Sequence, residues 1–255
     1  MDIVIIGSGN VASVIGRKIL SAGHRIVQVF SRQPDHAGIL AGILQAMPIS
    51  SLKELERKVD LILIAISDNA YETFVQELPL TDSFIVHTSG SVPMDVLKNT
   101  GARYGVLYPL QRFRRELKTI PEFPLLIDAN SPGNFRELTE IAIGLSDTVI
   151  HANDDMRLKY HLGAVLVSNF TNHLCVLAES YCRQEQIDFS VLQPLREETV
   201  YRMGYASPAD LQTGPAIRND TQTLEKHRKL LTSYPELSQL YDVLTRSIQH
   251  FHQIK

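Results

Sequence analysis

The sequence predicts an α/β fold, an N-terminal doubly wound parallel sheet followed by an all-α C-terminal half. Three observations carry this. Over residues 1–150, short apolar runs rich in β-branched residues alternate with helical stretches, the pattern of strands joined by crossover helices. The run Leu61-Ile62-Leu63-Ile64-Ala65-Ile66 shows no polar alternation, as expected of a strand buried on both faces. From Asp154 onward the texture changes, and only helical periodicity remains, broken near Asp188, Ser207-Pro208, Gly214-Pro215 and Tyr234-Pro235. The expected domains are therefore residues 1–150 and residues 151–255.

Taken in order, residues 3–6 form the first strand, and the helix over 10–22 is stopped by Gly23. A strand at 25–30 leads into a helix over 35–45. Strands follow at 61–66, 84–86 and 105–107, with a helix over 67–77 after the first of them. Strand-like pieces at 124–127 and 148–150 flank a helix around 135–145 that follows Ser131-Pro132-Gly133.

Composition excludes several classes. The 255-residue chain is 44% hydrophobic and 21% charged with a formal net charge of -3, an ordinary globular balance. Its length allows one large domain or two modest ones, and the change after residue 150 favours two. No apolar run approaches the roughly 18–20 residues of a membrane span. A slightly acidic balance argues against nucleic acid as a partner and leaves a small molecule. The amino terminus enters a strand with no basic leader, and Cys175 and Cys182 have no spacing for zinc or a disulfide framework. A reducing cytoplasm and no bound metal are expected.

Gly7-Ser8-Gly9-Asn10-Val11-Ala12 follows an apolar strand and opens a helix. Gly7 allows the tight turn, Gly9 lets the backbone approach a pyrophosphate, Ala12 permits close helix–strand packing, and the helix amino terminus offers N–H groups to phosphate. The competing reading is a turn kept for packing. At the tip of the second strand, where NAD-binding sites place a carboxylate, the chain reads Ser31-Arg32. A ribose 2′-phosphate would meet that hydroxyl and guanidinium, each charge-assisted bond contributing about 1.5–3 kcal/mol. NADP(H) is therefore expected over NAD(H), against the reading of Arg32 as a solvated cation. The strand-end loops carrying Ser67 and Thr88-Ser89-Gly90 should line the same crevice, although the second loop also reads as a cap for a helix beginning near Val92. His87 there is either a proton donor or a satisfied histidine beneath the loop.

In the helical half, the helix from about Asp154 to Cys182 is apolar nearly all round, which marks burial by its own domain or by a partner chain. At 100° per residue, His161, Ser168 and Asn172 fall within about 20° of one line, with Asn169 and His173 a quarter to a third of a turn away. That polar stripe reads as a substrate-binding strip or as interhelical hydrogen bonding. Further on, Asn219 with Gln222 suggests a capping box, which leaves Arg218 and Asp220 for a site, Arg218 suiting a substrate carboxylate or phosphate. The basic run Arg112, Arg114, Arg115 and Lys118 reads chiefly as a solvated face.

With these segments placed, the chain resembles the Rossmann-like proteins that carry a carboxyl-terminal domain of unknown function, oxidoreductases dependent on NADP or coenzyme F420. The resemblance rests on the phosphate loop with His87-Thr88-Ser89-Gly90-Ser91-Val92-Pro93, Tyr108-Pro109-Leu110-Gln111, residues 161–170 and Thr213-Gly214-Pro215-Ala216-Ile217-Arg218-Asn219-Asp220. More distantly it is similar to β-hydroxyacid dehydrogenases, ketopantoate reductase and pyrroline-5-carboxylate reductase, whose helical domains commonly dimerise. The resemblance implies a homodimer through the helical half. It also implies a departure: the catalytic lysine of the dehydrogenases, four residues before an asparagine, is Val165 before Asn169 and Ser168 before Asn172. The remaining candidate acid is His161, since histidine ordinarily titrates near pH ~6.5 and suits donation to an alkoxide. Ser168 and Asn169 would orient the carbonyl, and Asn172, Arg218 and Asp220 would hold the rest of the substrate. The expected function is an NADP(H)-dependent oxidoreductase acting on a small carbonyl or hydroxy compound. The alternatives are a nucleotide-binding sensor or scaffold, and an F420-dependent oxidoreductase.

Overall fold

A computed structural model describes residues 1–116 and 119–254 of the chain, so Lys118 of the basic run lies outside the described residues. Eight strands form one sheet: β1 (Asp2–Ile6), β2 (Arg25–Phe30), β3 (Met47–Ile49), β4 (Leu61–Ile64), β5 (Phe84–His87), β6 (Tyr104–Pro109), β7 (Leu125–Ala129) and β8 (Val149–His151). Their order is β3-β2-β1-β4-β5-β6-β7-β8. All pairs are parallel except β6 with β7, where Leu107 faces Ile127 in an antiparallel register.

The sheet is thus mostly parallel, as the sequence predicts, with the β6–β7 pair an antiparallel exception that was not foreseen. Parallel neighbours need a crossover, usually a helix, and the described residues between β6 and β7 contain none. The short strand β3, unforeseen in the sequence, sits at the sheet edge, where its Pro48 is tolerated because the outer side needs no donor.

Alternation along the strands divides the core between the two faces. Ile3, Ile5 and Leu63 join one buried cluster with Ile15, Leu44 and Leu138, beneath the helices α1 (Asn10–Ser21), α2 (Pro34–Leu44) and α4 (Pro132–Ile143). Val4, Ile6, Ile62 and Ile64 join the other with Tyr71 and Phe74 of α3 (Tyr71–Glu77). The helix expected near Val92 is a short 3-10 turn, Met94–Leu97. Because β2 and β4 flank β1 on opposite sides, the chain reverses its winding there and leaves a crevice at the carboxyl ends of these strands.

After β8 only helices follow: α5 (Asp154–Ala164), a π-helical stretch Val165–Phe170, α6 (Thr171–Gln184), α7 (Gln193–Met203), α8 (Thr221–Leu230) and α9 (Pro235–Phe251). The contacts divide the chain into two compact units, Met1–Phe170 and Thr171–Lys255. The last strand and the end of the first unit are thus different boundaries, since α5 stays with the sheet through Arg157 on the Val92 carbonyl at 2.6 Å. Within the second unit, α8 meets α9 through His227 Nδ1 and the Tyr241 hydroxyl at 2.8 Å and through Arg228 Nε on Asp242 at 2.9 Å. Among the described residues no helix is long and apolar enough to cross a membrane.

Leu63 is fully buried in the middle of the sheet. Leu63→Ala should lower stability by about 2–5 kcal/mol, read as a fall in the urea midpoint; an unmoved midpoint would contradict this packing.

Candidate functional site

The crevice opens as a cleft of about 1050 Å³. Every expected nucleotide residue except Ala12 lines it, and Ala12 lies fully buried in the core, where close helix–strand packing would put it. Gly7 adopts φ +115°, and a Cβ there would stand 2.1 Å from the Ala65 carbonyl oxygen, so only glycine fits. Its N–H donates to the Phe30 carbonyl at 2.8 Å, tying the loop to β2. At Gly9, the N-cap of α1, nothing lies within 4 Å of a Cβ position, which leaves open space at the helix amino terminus. That combination fits a pyrophosphate: a backbone held close on one side and clear on the other.

The remaining predicted residues have specific duties. Asn10 Oδ1 accepts from the Arg115 N–H at 3.3 Å, holding the connection after β6 against the start of α1. Ser31 is largely buried, its hydroxyl 3.1 Å from that of Ser8, whereas Arg32 is exposed and makes no ion pair among the described residues. Ser67 is exposed at the cleft edge. The Thr88 hydroxyl donates to the Ile64 carbonyl at 3.3 Å, and Ser89 Oγ accepts from the Ser91 and Val92 N–H groups at 3.1 and 3.0 Å. These two hydroxyls build the loop, while the buried Gly90 brings its backbone to the cleft wall.

His87 lines neither this cleft nor its neighbour. It is fully buried, its Nδ1 accepts from the Ser89 N–H at 3.2 Å, and its Nε2 has no well-formed partner. Burial, reinforced by the Arg157 charge, pushes its pKa down to about 3. The proton-donor reading of His87 is therefore corrected: a neutral imidazole sealed beneath the loop has no route to a substrate. Arg157 is buried beside it, donating also to Asp154 at 2.8 Å, and Asp154 accepts in turn from the Met94 N–H at 3.0 and 3.1 Å.

A second cleft, of about 750 Å³ and mostly apolar lining, adjoins the first. His161, Ser168 and Asn169 line it together, joined by Arg112 of the basic run. Arg114 is exposed and Arg115 pairs with Glu116 at 3.5 Å. The expected single line of His161, Ser168 and Asn172 does not form as drawn, because the π stretch replaces α-helical rotation with a wider turn. Ser168 and Asn169 both lie within this wider turn, and both line the apolar cleft with His161. Asn172 lies beyond the π stretch, exposed in the second compact unit.

Among the described residues only Tyr108, Gln111 and His161 line both clefts, and Tyr108 was missed as a site residue. Its hydroxyl lies 2.9 Å from His161 Nδ1. The available signal was position: Tyr108 sits at the carboxyl end of β6, where open α/β sheets place their ligand crevices. Burial pushes the phenol up to about 12, with Asp68 raising it further and Arg157 opposing.

In the second unit, Arg218 is exposed. The expected capping box is corrected: Asp220, not Asn219, caps α8, its carboxylate accepting from the Thr223 N–H at 3.0 Å and from the Thr223 hydroxyl at 2.8 Å. Asn219 takes φ +51°, a left-handed turn residue before the cap. Asp220 is thereby committed to the helix rather than left for a ligand, and those bonds hold its carboxyl below the usual range.

Residues 2–90 match the family described as NADP oxidoreductase, coenzyme F420-dependent, and residues 123–248 match the domain of unknown function DUF2520. A Bacteroides fragilis protein assigned as an NADP oxidoreductase is 35% identical over 99% of this chain and 98% of its own, with a TM-score of 0.91. The chain belongs to this NADP oxidoreductase family. Beyond it, the fold is shared with an imine reductase from Myxococcus stipitatus solved with NADP+ (14% identity, 98% and 93% coverage, TM-score 0.70). It is shared also with a 1-pyrroline-5-carboxylate reductase from Streptococcus pyogenes (13%, 98% and 98%, TM-score 0.61). No curated protein matches the chain. Within this family member, the unreactive core of the site is the His87 layer, and the reachable groups are those shared by the two clefts.

His87 is neutral in the fold, while the unfolded chain takes up a proton below about pH 6.5. Its stabilising contribution is therefore present above that pH and lost as pH falls toward about 3. Between pH 7 and 4 the urea stability of the natural protein should fall more steeply than that of His87→Gln, by up to ~1.4 kcal/mol per pH unit. Equal slopes would mean that His87 titrates normally.

Proposed function

We propose that the protein is an NADP(H)-dependent oxidoreductase that reduces a small carbonyl compound or oxidises the corresponding hydroxy compound. The observation that carries this is His161, a titratable side chain that lines both the glycine-loop cleft and the adjoining apolar cleft. In this reading Gly7, Gly9 and the start of α1 hold the pyrophosphate, and Arg32 with Ser31 meets a ribose 2′-phosphate. The guanidinium of Arg32, exposed and without an ion pair among the described residues, supports the 2′-phosphate role. When bound, the reduced nicotinamide supplies hydride. The apolar cleft then seats the substrate, Ser168 and Asn169 orient its polar end, and His161 manages the proton. Asn172 and Arg218, both exposed on the second compact unit, are proposed as contacts for a polar or anionic ligand group, without Asp220.

We further propose a homodimer through the helical half. Leu162, Val167, Phe170, Leu174, Leu195 and Tyr201 are all exposed, Val167 by 75%, and apolar surface on this scale marks an interface. Light scattering should give twice the 28.6 kDa chain mass. Val167→Glu should shift the mass toward that of one chain; a monomeric natural protein would refute the assembly.

Thermal shift with NADPH, NADP+, NADH and F420 tests the cofactor. A ligand at one hundred times its Kd adds about 2.7 kcal/mol, a readily measured rise in Tm. NADPH and NADP+ should shift the protein, NADH weakly. A shift with F420 alone would favour the F420-dependent reading, and no shift with any would refute nucleotide binding. Arg32→Asp should lower NADPH affinity tenfold or more while sparing NADH; an unchanged preference would remove Arg32 from the site.

A further inference from the structure

We propose that Tyr108 is the group that delivers the proton to the substrate, with His161 behind it as the proton's source. This rests on the reductase reading above and adds a catalytic residue to it. The Tyr108 hydroxyl and His161 Nδ1 are 2.9 Å apart, on two different elements, β6 and α5, and both side chains face both clefts. Gly90 closes the pair from behind. A Cβ there would lie 2.8 Å from His161 Nδ1 and 2.8 Å from Tyr108 Cζ, so the loop backbone presses directly on the hydrogen bond. The charged groups acting on the phenol are Asp68, from the turn before α3, and Arg157, from α5, the latter paired with Asp154.

The order of the two groups follows from their chemistry. Burial holds the phenol in its neutral form, so Tyr108 is a poor terminus for negative charge but a good conduit. When His161 is an imidazolium, its Nδ1–H donates to the Tyr108 oxygen, which leaves the phenolic O–H to point at a substrate carbonyl. As the carbonyl carbon accepts hydride from the reduced nicotinamide, the C=O π pair moves to oxygen. That oxygen takes the phenolic proton, and the phenolic oxygen takes the Nδ1 proton. The products are the alcohol, the oxidised nicotinamide and neutral His161, which solvent reprotonates; no phenolate accumulates.

The test uses the full chain, Tyr108→Phe, His161→Asn and the double variant. Consumption of NADPH is followed against a panel of ketones that includes cyclohexanone and acetophenone, with NADPH affinity from fluorescence titration and the His161 imidazole from nitrogen-15 NMR without cofactor. Each single variant should lose roughly 10²-fold or more in kcat with unchanged NADPH Kd, and the double should be no worse than the singles, as for one device. Tyr108→Phe should also move the nitrogen-15 signal of His161 Nδ1, which loses its hydrogen-bond partner. Retained kcat in Tyr108→Phe, or losses that multiply in the double variant, would overturn the relay while leaving the reductase reading intact. An unmoved imidazole signal would overturn the hydrogen bond itself. Failure of the natural protein to reduce any ketone of the panel while still binding NADPH would overturn both readings.

Discussion

The turn at Gly7 governs the rest of the first unit. The chain leaves β1 and enters α1 in a space where the carbonyl of Ala65, the residue after β4, would stand 2.1 Å from a Cβ at Gly7, so the ends of the two strands meet through bare backbone. That closeness keeps β1 central, sends β2 and β4 to opposite sides, and opens the crevice at their carboxyl ends. The two apolar clusters above and below the sheet support the crevice walls, and hydroxyl contacts such as Ser8 with Ser31 and Thr88 with the Ile64 carbonyl tie its loops down.

A different economy operates under the 87–94 loop. Arg157 is 1% exposed, yet among the described residues its Nε and Nη1 lack hydrogen-bond partners, and Asp154 is the one carboxylate paired with it. A buried cation so thinly compensated costs stability. What it gains is position: the same guanidinium grips the Val92 carbonyl, and Asp154 grips the Met94 N–H, so the first turn of α5 is fixed to the loop that carries Gly90. His161 stands one turn along from Arg157, and its place in the cleft wall depends on that anchor. Holding His87 neutral below the loop avoids a second buried cation beside the first.

Much of this was legible in the residues. The uninterrupted apolar run at Leu61–Ile64 is a buried strand, and the glycine loop and the strand tip at Ser31-Arg32 line the crevice, each segment carrying a local chemical reason. What was hidden depends on contacts between distant segments. The antiparallel β7 follows from a connection without a helix, and the short edge strand β3 carries a proline that argues against strand. Asp220 outcompetes Asn219 as the cap because the left-handed turn at Asn219 sets α8 one residue later. Tyr108 is a tyrosine in a strand by any local measure; only the approach of α5 gives its hydroxyl a partner. The direction of His87, inward rather than toward the crevice, is likewise a property of the loop folded over it.

The π stretch from Val165 to Phe170 has a consequence for how such chains are to be aligned and edited. In an ordinary helix, facing is written in residue type at a fixed interval, and a wheel drawn from the sequence reads it correctly. Here the facing of Asn169 is written in chain length, since one surplus residue in the turn sets its azimuth. A one-residue deletion between 165 and 168 would turn the residues after it by about 100° relative to those before it and change which of them face the apolar cleft. Gaps at this point carry meaning that substitution patterns do not.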